Sequence, residues 1–208
     1  MISPALNLID AQGTQLASLA ARLQNRDTLP PLVPKETWNE GLQAILEDLD
    51  PAEIVGQDDV DSGSAVSVKS GLLIWNDSMD PAHELLQDAT DATGSYWHGI
   101  IHRREPDFSN AKYWFRRVGD HPIFPALREQ ALGVFRSVAD TSEYARLRLA
   151  SLEKGDHWDS IAFVDWCEQA VKKSNDYPDE TDLLEAVQLR EIELLVTHSY
   201  RQAVRSGR

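Results

Sequence analysis

A periodicity restricts the fold more than any other feature of the chain. From Pro122 onward apolar residues return every three or four positions, over 122–138, 141–153, 158–173 and 180–204, and little alternates as a strand would. The same spacing links Leu16, Leu19, Ala20 and Leu23 in a helix stopped by Pro30, Pro31 and Pro34. It recurs in Leu42, Ile45, Leu46 and Leu49 of a helix over about 38–49. Segment 64–77 fits both periods: Val66 and Val68 alternate, whereas Ala65, Val68, Leu72 and Trp75 share a helical face, and helix is preferred. Asp80 is expected to cap, and Pro81 to open, a helix reaching about residue 91. Gly94 then marks a tight connection, a helix covers 95–105 and stops at Pro106, and Ser109 caps a short helix closed by Gly119. The fold expected is an irregular all-α bundle of about seven to nine helices, somewhat fewer than the ten segments that carry the pattern. A 208-residue chain that is 42% hydrophobic, with six Trp, can build that bundle around one core as a single domain. An exposed acidic loop is expected near 56–64. Its Asp59-x-Asp61 is not a calcium loop, because Gly63 comes one place early and no glutamate closes it at position twelve.

Several function classes are disfavoured. The formal charge of −14 argues against general affinity for nucleic acid, which rests on neutralising phosphates. No apolar run approaches the roughly 18 residues of a membrane span. The segment MISPALNLIDAQGTQ lacks the basic and apolar regions of a signal peptide, and the lone Cys167 fits a reducing compartment, so a cytoplasmic location is expected. Neither a Walker loop, a dinucleotide fingerprint nor a GxSxG elbow occurs, and Cys167 reads as a small core residue.

The chemistry concentrates between Gly94 and Gly119. Gly94, Trp97, His98, Ile101, His102 and Glu105 fall on one helical stripe, with the two histidines one turn apart, about 6 Å along the axis. Two imidazoles and a carboxylate on one stripe suit a divalent metal such as Zn, Ni, Mn or Fe, or a polar pocket; they also suit core histidines bonded to carboxylates. Open catalytic sites keep three protein ligands. If 81–91 and 95–105 form an antiparallel hairpin, His83 lies as far before the turn as His102 lies after it and supplies the third, with Glu105 or Gln87 beside it. Glu191, on an apolar helical face between Val187 and Leu194, is a second candidate base, or else the partner of a buried cation.

Charge is unevenly spread as well. Residues 98–117 hold Arg103, Arg104, Lys112, Arg116 and Arg117 against Glu105 and Asp107, a local +3 in an acidic chain. Such an island suits a small carboxylate or phosphate ligand, unless acidic helices nearby neutralise it. Arg103, Arg104, Asn110, Lys112, Tyr113 and Arg117 are the candidate contacts, while Trp114, Phe115 and Val118 read as core. His121 and His198 have no clear partners, although His121-Pro122 can fold back toward the site.

The run YWHGIIHRREPDFSNAKYWFRRVG, with GLLIWND and DPAHELLQ upstream, resembles a family of uncharacterised proteins sharing a YWHxxxHRRExDxxNxKYWFRRVG core. The resemblance spans about Gly71 to Gly119 and, more faintly, LREIELLVTHSYRQA. No activity is attached to that family, so the resemblance implies a shared site without a mechanism. The order His83, His98, His102 is also similar to DinB-like bundles, where one histidine and a later HxxxH bind metal; the spacing here is shorter. A metal-dependent hydrolase or lyase-like enzyme on a small anionic substrate is therefore expected, with His83, His98 and His102 as ligands and Glu105 or Glu191 as the assisting base. The alternatives are a non-catalytic anion-binding module and a structural or interaction protein with core histidines.

Overall fold

The computed structural model describes residues 11, 14–56, 60–172 and 179–205. Among them there is no strand, and the fold is all-α. The helices are α1 (Gln15–Gln24), α2 (Glu40–Asp48), α3 (Pro51–Val55), α4 (Ser62–Trp75), α5 (Met79–Leu86), α6 (Ala92–Arg104), α7 (Phe108–Val118), α8 (Phe124–Arg136), α9 (Glu143–Lys154), α10 (Ser160–Lys172) and α11 (Glu180–Arg205). Eleven exceeds the seven to nine expected, partly because α3 is only five residues long. It is nonetheless well specified: Asp50 and Glu53 form a reciprocal capping box, Pro51 opens the helix and Gly56 closes it in the left-handed region.

Short polar side chains fix most of the other helix starts. Thr14, Asn39, Asp61, Asp91, Asp107 and Ser142 each accept a backbone N–H of the turn they precede. Three expected boundaries therefore move. α6 begins at Ala92 rather than after Gly94, because Asp91 accepts from the Gly94 N–H at 2.6 Å. α7 is capped by Asp107, with Ser109 already inside the helix. α5 begins at Met79 after Ser78, so Asp80 lies in its first turn and is not its cap. The expected acidic loop is shorter than 56–64, since Asp61 caps α4. Asp59 lies outside the described residues.

Two helices form the interior. α4 has ten of its 14 residues buried, among them Lys69, whose ammonium donates to the Glu47 and Leu49 carbonyls. α6 is a stranger case: eleven of 13 are buried although the helix carries two histidines and two arginines. Around it stand α4, α5, α7 and α10, and α11 runs along α4 and α8. Close approach is bought with glycine. A Cβ on Gly71 of α4 would lie 2.7 Å from both the Trp97 ring of α6 and the Val196 side chain of α11, and one on Gly99 would lie 2.9 Å from the Phe115 ring of α7. No described helix is long and apolar enough to cross a membrane.

Gly71→Ala should therefore destabilise the protein by about 1–3 kcal/mol through overpacking at the α4–α6–α11 contact. Gly133→Ala, in α8, meets nothing within 4 Å and should be neutral or stabilising by about 0.5–1 kcal/mol. Urea denaturation of the two variants checks both signs.

Candidate functional site

Two adjacent arginines determine how α6 sits. Arg103 is 1% exposed and pairs with Glu191 of α11, which is fully buried; it also bonds Gln188 Oε1 at 3.3 Å and lies over the Phe163 ring at 4.6 Å. Tyr96 completes the set by donating its hydroxyl to Glu191 Oε1 at 3.0 Å. Arg104, also 1% exposed, pairs with Asp77 and donates to the carbonyls of Ile74 and, at 3.1 Å, Pro31. Asp77 takes a second guanidinium, from Arg26, at 2.8 Å. Arg103 and Arg104 were expected to contact a ligand. Both are instead turned inward and engaged by internal carboxylates, because α6 has no solvent-facing side on which to place them. Glu191, expected as a base, is likewise the counter-charge of Arg103, the alternative that its apolar face left open. Lys112 bridges to Asp165 and Glu168 of α10, at 2.6 and 2.8 Å.

The histidines, by contrast, come together. The α5–α6 hairpin brings the His83 ring to 5.5 Å from the His98 ring and 5.0 Å from the His102 ring, while His98 and His102 are 6.4 Å apart. Glu105 at the end of α6 reaches between two of them, with Oε1 3.7 Å from His83 Nδ1 and Oε2 3.2 Å from His102 Nδ1. The cluster lies at the protein surface: His98 and His102 are buried, while the His83 and Glu105 side chains are 36% and 31% exposed. Gln87, the other suggested neighbour, is exposed at the C-cap of α5.

Hydrogen bonds define the ring protons. His98 donates from Nδ1 to the Gly94 carbonyl at 3.1 Å, which leaves the Nε2 lone pair free. Burial, followed by the nearby His83 and His102, holds His98 below the usual imidazole value in spite of that bond. His102 accepts from Asn110 Nδ2 at its Nε2 (3.1 Å), so its proton sits on Nδ1; that N–H is close to Glu105 yet not aligned for a hydrogen bond. With the side chains in these positions, no three of the described His, Cys, Asp and Glu residues converge on one metal position.

The wall of the cluster comes from α7. Trp114, expected in the core, is only half-buried and stacks on His98, centroids 4.1 Å apart and planes within 13°. Arg117 lies over both Trp114 and Tyr113, at 5.5 and 5.8 Å, and makes no ion pair among the described residues. Phe115 and Val118 are core, as is Cys167, whose thiol burial pushes up to about 12. Of the candidate ligand contacts, Asn110 therefore remains against His102, and Tyr113 and Arg117 border the cluster through Trp114.

A second histidine pair was not foreseen. His121 is 2% exposed, packs edge-on to Tyr96 and lies 4.8 Å from His198 of α11. Its Nδ1 accepts from the Ile123 N–H at 3.4 Å and its Nε2 meets Thr93 Oγ1 at 3.3 Å. Thr93 belongs to the first turn of α6, so neither His121 nor His198 joins the other three. Comparison of the chain with protein-family models, with curated proteins and with solved structures returns no match.

Two outcomes follow from these environments. Glu191→Leu strands the Arg103 charge and should cost about 3–5 kcal/mol, whereas Arg103→Met combined with Glu191→Leu should recover most of that loss in urea denaturation. Burial, with His198 adding to it, lowers His121 from 6.5 to about 4. Between those values the unfolded chain binds a proton that the folded protein does not, so stability falls as pH drops from about 6.5 and levels off below about 4. His121→Phe should flatten that part of the stability profile, as measured by denaturation across the same range.

Proposed function

We propose that His83, His98 and His102 bind a divalent metal, such as Zn, Ni, Mn or Fe, and that the chain is a metal-dependent enzyme, hydrolytic or lyase-like, acting on a small anionic substrate. The observation that carries this reading is the meeting of three imidazoles and Glu105 at the surface end of one helical hairpin. Two ligand atoms on a tetrahedral zinc, each about 2.0–2.2 Å from the ion, stand about 3.4 Å apart. The Glu105 oxygens are 3.7 and 3.2 Å from the nearest nitrogens of His83 and His102, close to that separation. The Nδ1–H of His98, held by a backbone carbonyl, is the outer bond that usually orients a metal-binding imidazole.

Binding requires rearrangement. Asn110 must release Nε2 of His102 for either ring nitrogen to bind, the proton moving from Nδ1 to Nε2 where Nδ1 is the ligand, and His83, more than a third exposed, is free to turn inward. Glu105 would then complete the shell or serve as the base beside it, where the metal would supply Lewis acidity. Glu191, sealed in the core with Arg103, is not available for that step. An anionic substrate would approach over Trp114 toward Arg117, the cation beside the cluster without an acidic partner, with Asn110 and Tyr113 as further contacts.

A second reading, a metal-free pocket for a small anion, is favoured by the one observation that His102 already has neighbours at both ring nitrogens. Elemental mass spectrometry and thermal shift separate the two. Near-stoichiometric metal, lost in His98→Ala and His102→Ala, is the expected outcome, with a melting temperature that rises on adding zinc or manganese to metal-stripped protein. Protein that neither carries metal nor is stabilised by zinc, nickel, manganese or iron would refute the metal reading.

A further inference from the structure

Behind the second histidine pair lies a cavity of about 500 Å3 between the start of α8 and the last turns of α11. One wall is apolar, formed by Ile123, Ala126 and Leu194; the other carries His198, Arg201 and Arg205, which follow one another along a single stripe of α11. In a chain of net charge −14, Arg201 and Arg205 have no ion pair among the described residues. Arg26, Arg103, Arg104 and Lys112 each face a carboxylate; Arg116 and Arg117 pair with none among the described residues either, but Arg201 and Arg205 line one cavity together. We infer that this cavity binds a small phosphate monoester whose apolar body lies against Ile123, Ala126 and Leu194 and whose phosphate faces Arg201, Arg205 and His198.

The donors are of the right kind. Gln202 Nε2 donates to His198 Nε2 at 2.9 Å, so the His198 proton is on Nδ1 and available to an acceptor. Two guanidiniums and one N–H match a dianion better than a monocarboxylate. α8 opens on the cavity with no side-chain cap, so the positive end of its dipole adds to the same potential. The acid that acts on His198 is Asp91, which is held as the cap of α6. Burial, followed by Arg205 and Arg201, keeps His198 below its usual value, and a bound dianion would relieve the last two. His121 is not among the residues that line the cavity, and both its nitrogens are engaged.

The site is independent of the histidine–glutamate cluster and of any metal there. Calorimetric titration of the full chain with phenyl phosphate, in the presence of a chelator, tests it directly. Phenyl phosphate should bind more tightly than inorganic phosphate, and phenol should not bind. The Arg201→Gln/Arg205→Gln double variant should fold normally and lose affinity by about tenfold or more. A variant with His83, His98 and His102 all changed to alanine should bind as the wild type does. Absence of binding at millimolar phenyl phosphate would overturn the inference. So would undiminished binding by the double arginine variant, or loss of binding in the triple histidine variant.

Discussion

Everything in the interior turns on the neutralisation of two consecutive arginines inside a buried helix. A guanidinium left unpaired in a core costs several kcal/mol, so Arg103 and Arg104 can be where they are only because Glu191 and Asp77 are there too. Consecutive residues on a helix point about 100° apart. One pair therefore ties α6 to α11 and the other ties it to the turn between α4 and α5. Together they fix the rotation of α6 about its axis in a way that apolar contacts alone, which tolerate slippage, would not. With that rotation set, His98 and His102 face the α5–α7 side, where His83, Glu105 and Trp114 meet them. Such pairs add little net stability; what they give α6 is orientation.

Asp77 shows how much is arranged around this device. It holds a left-handed backbone conformation (φ 63°), one that aspartate tolerates better than most residues, at the turn where α4 gives way to α5. From there it receives Arg104 and Arg26, while neighbouring Asn76 donates to the Asn39 carbonyl and to Ser78. The segment before α2 and the end of α1 are thus fastened to the same point as α6. α5, which carries His83, begins directly after this turn. Both halves of the histidine cluster are hung from one buried carboxylate.

The helices and the hairpin register were legible in the sequence because they are local. Periodicity requires only near neighbours, and the short connection between α5 and α6 made His83, His98 and His102 comparable by counting from the turn. Side-chain partners far along the chain were not legible. Arg103 and Arg104 read as surface cations because arginine is seldom fully buried, and nothing nearby in sequence announces Glu191 or Asp77 as their partners. The apolar face around Glu191 was a true signal of burial, and a buried carboxylate calls for a buried cation; the missing step was which cation. α3 was missed for a different reason. Five residues are too few for a periodic pattern, although the Asp50-Pro51 start and Glu53 carried its signature.

Charge bookkeeping along the sequence also misjudged where the free cations lie. Of the five cations in 98–117, acids from α10, α11 and the α4–α5 turn answer three once the chain folds, leaving the exposed Arg116 and Arg117, the latter over Trp114. The last turns of α11 keep Arg201 and Arg205 unanswered on one stripe with His198, and the sequence carried that signal too, since 194–208 holds three arginines and no acid. A positive potential is a property of the folded surface: it survives where geometry withholds a carboxylate, whatever the linear density of charge. Two such places lie toward the ends of α6, near the histidine–glutamate cluster at one and the Thr93–His121–His198 contact at the other. The buried helix that the arginines hold in place therefore separates two polar surfaces of different chemistry.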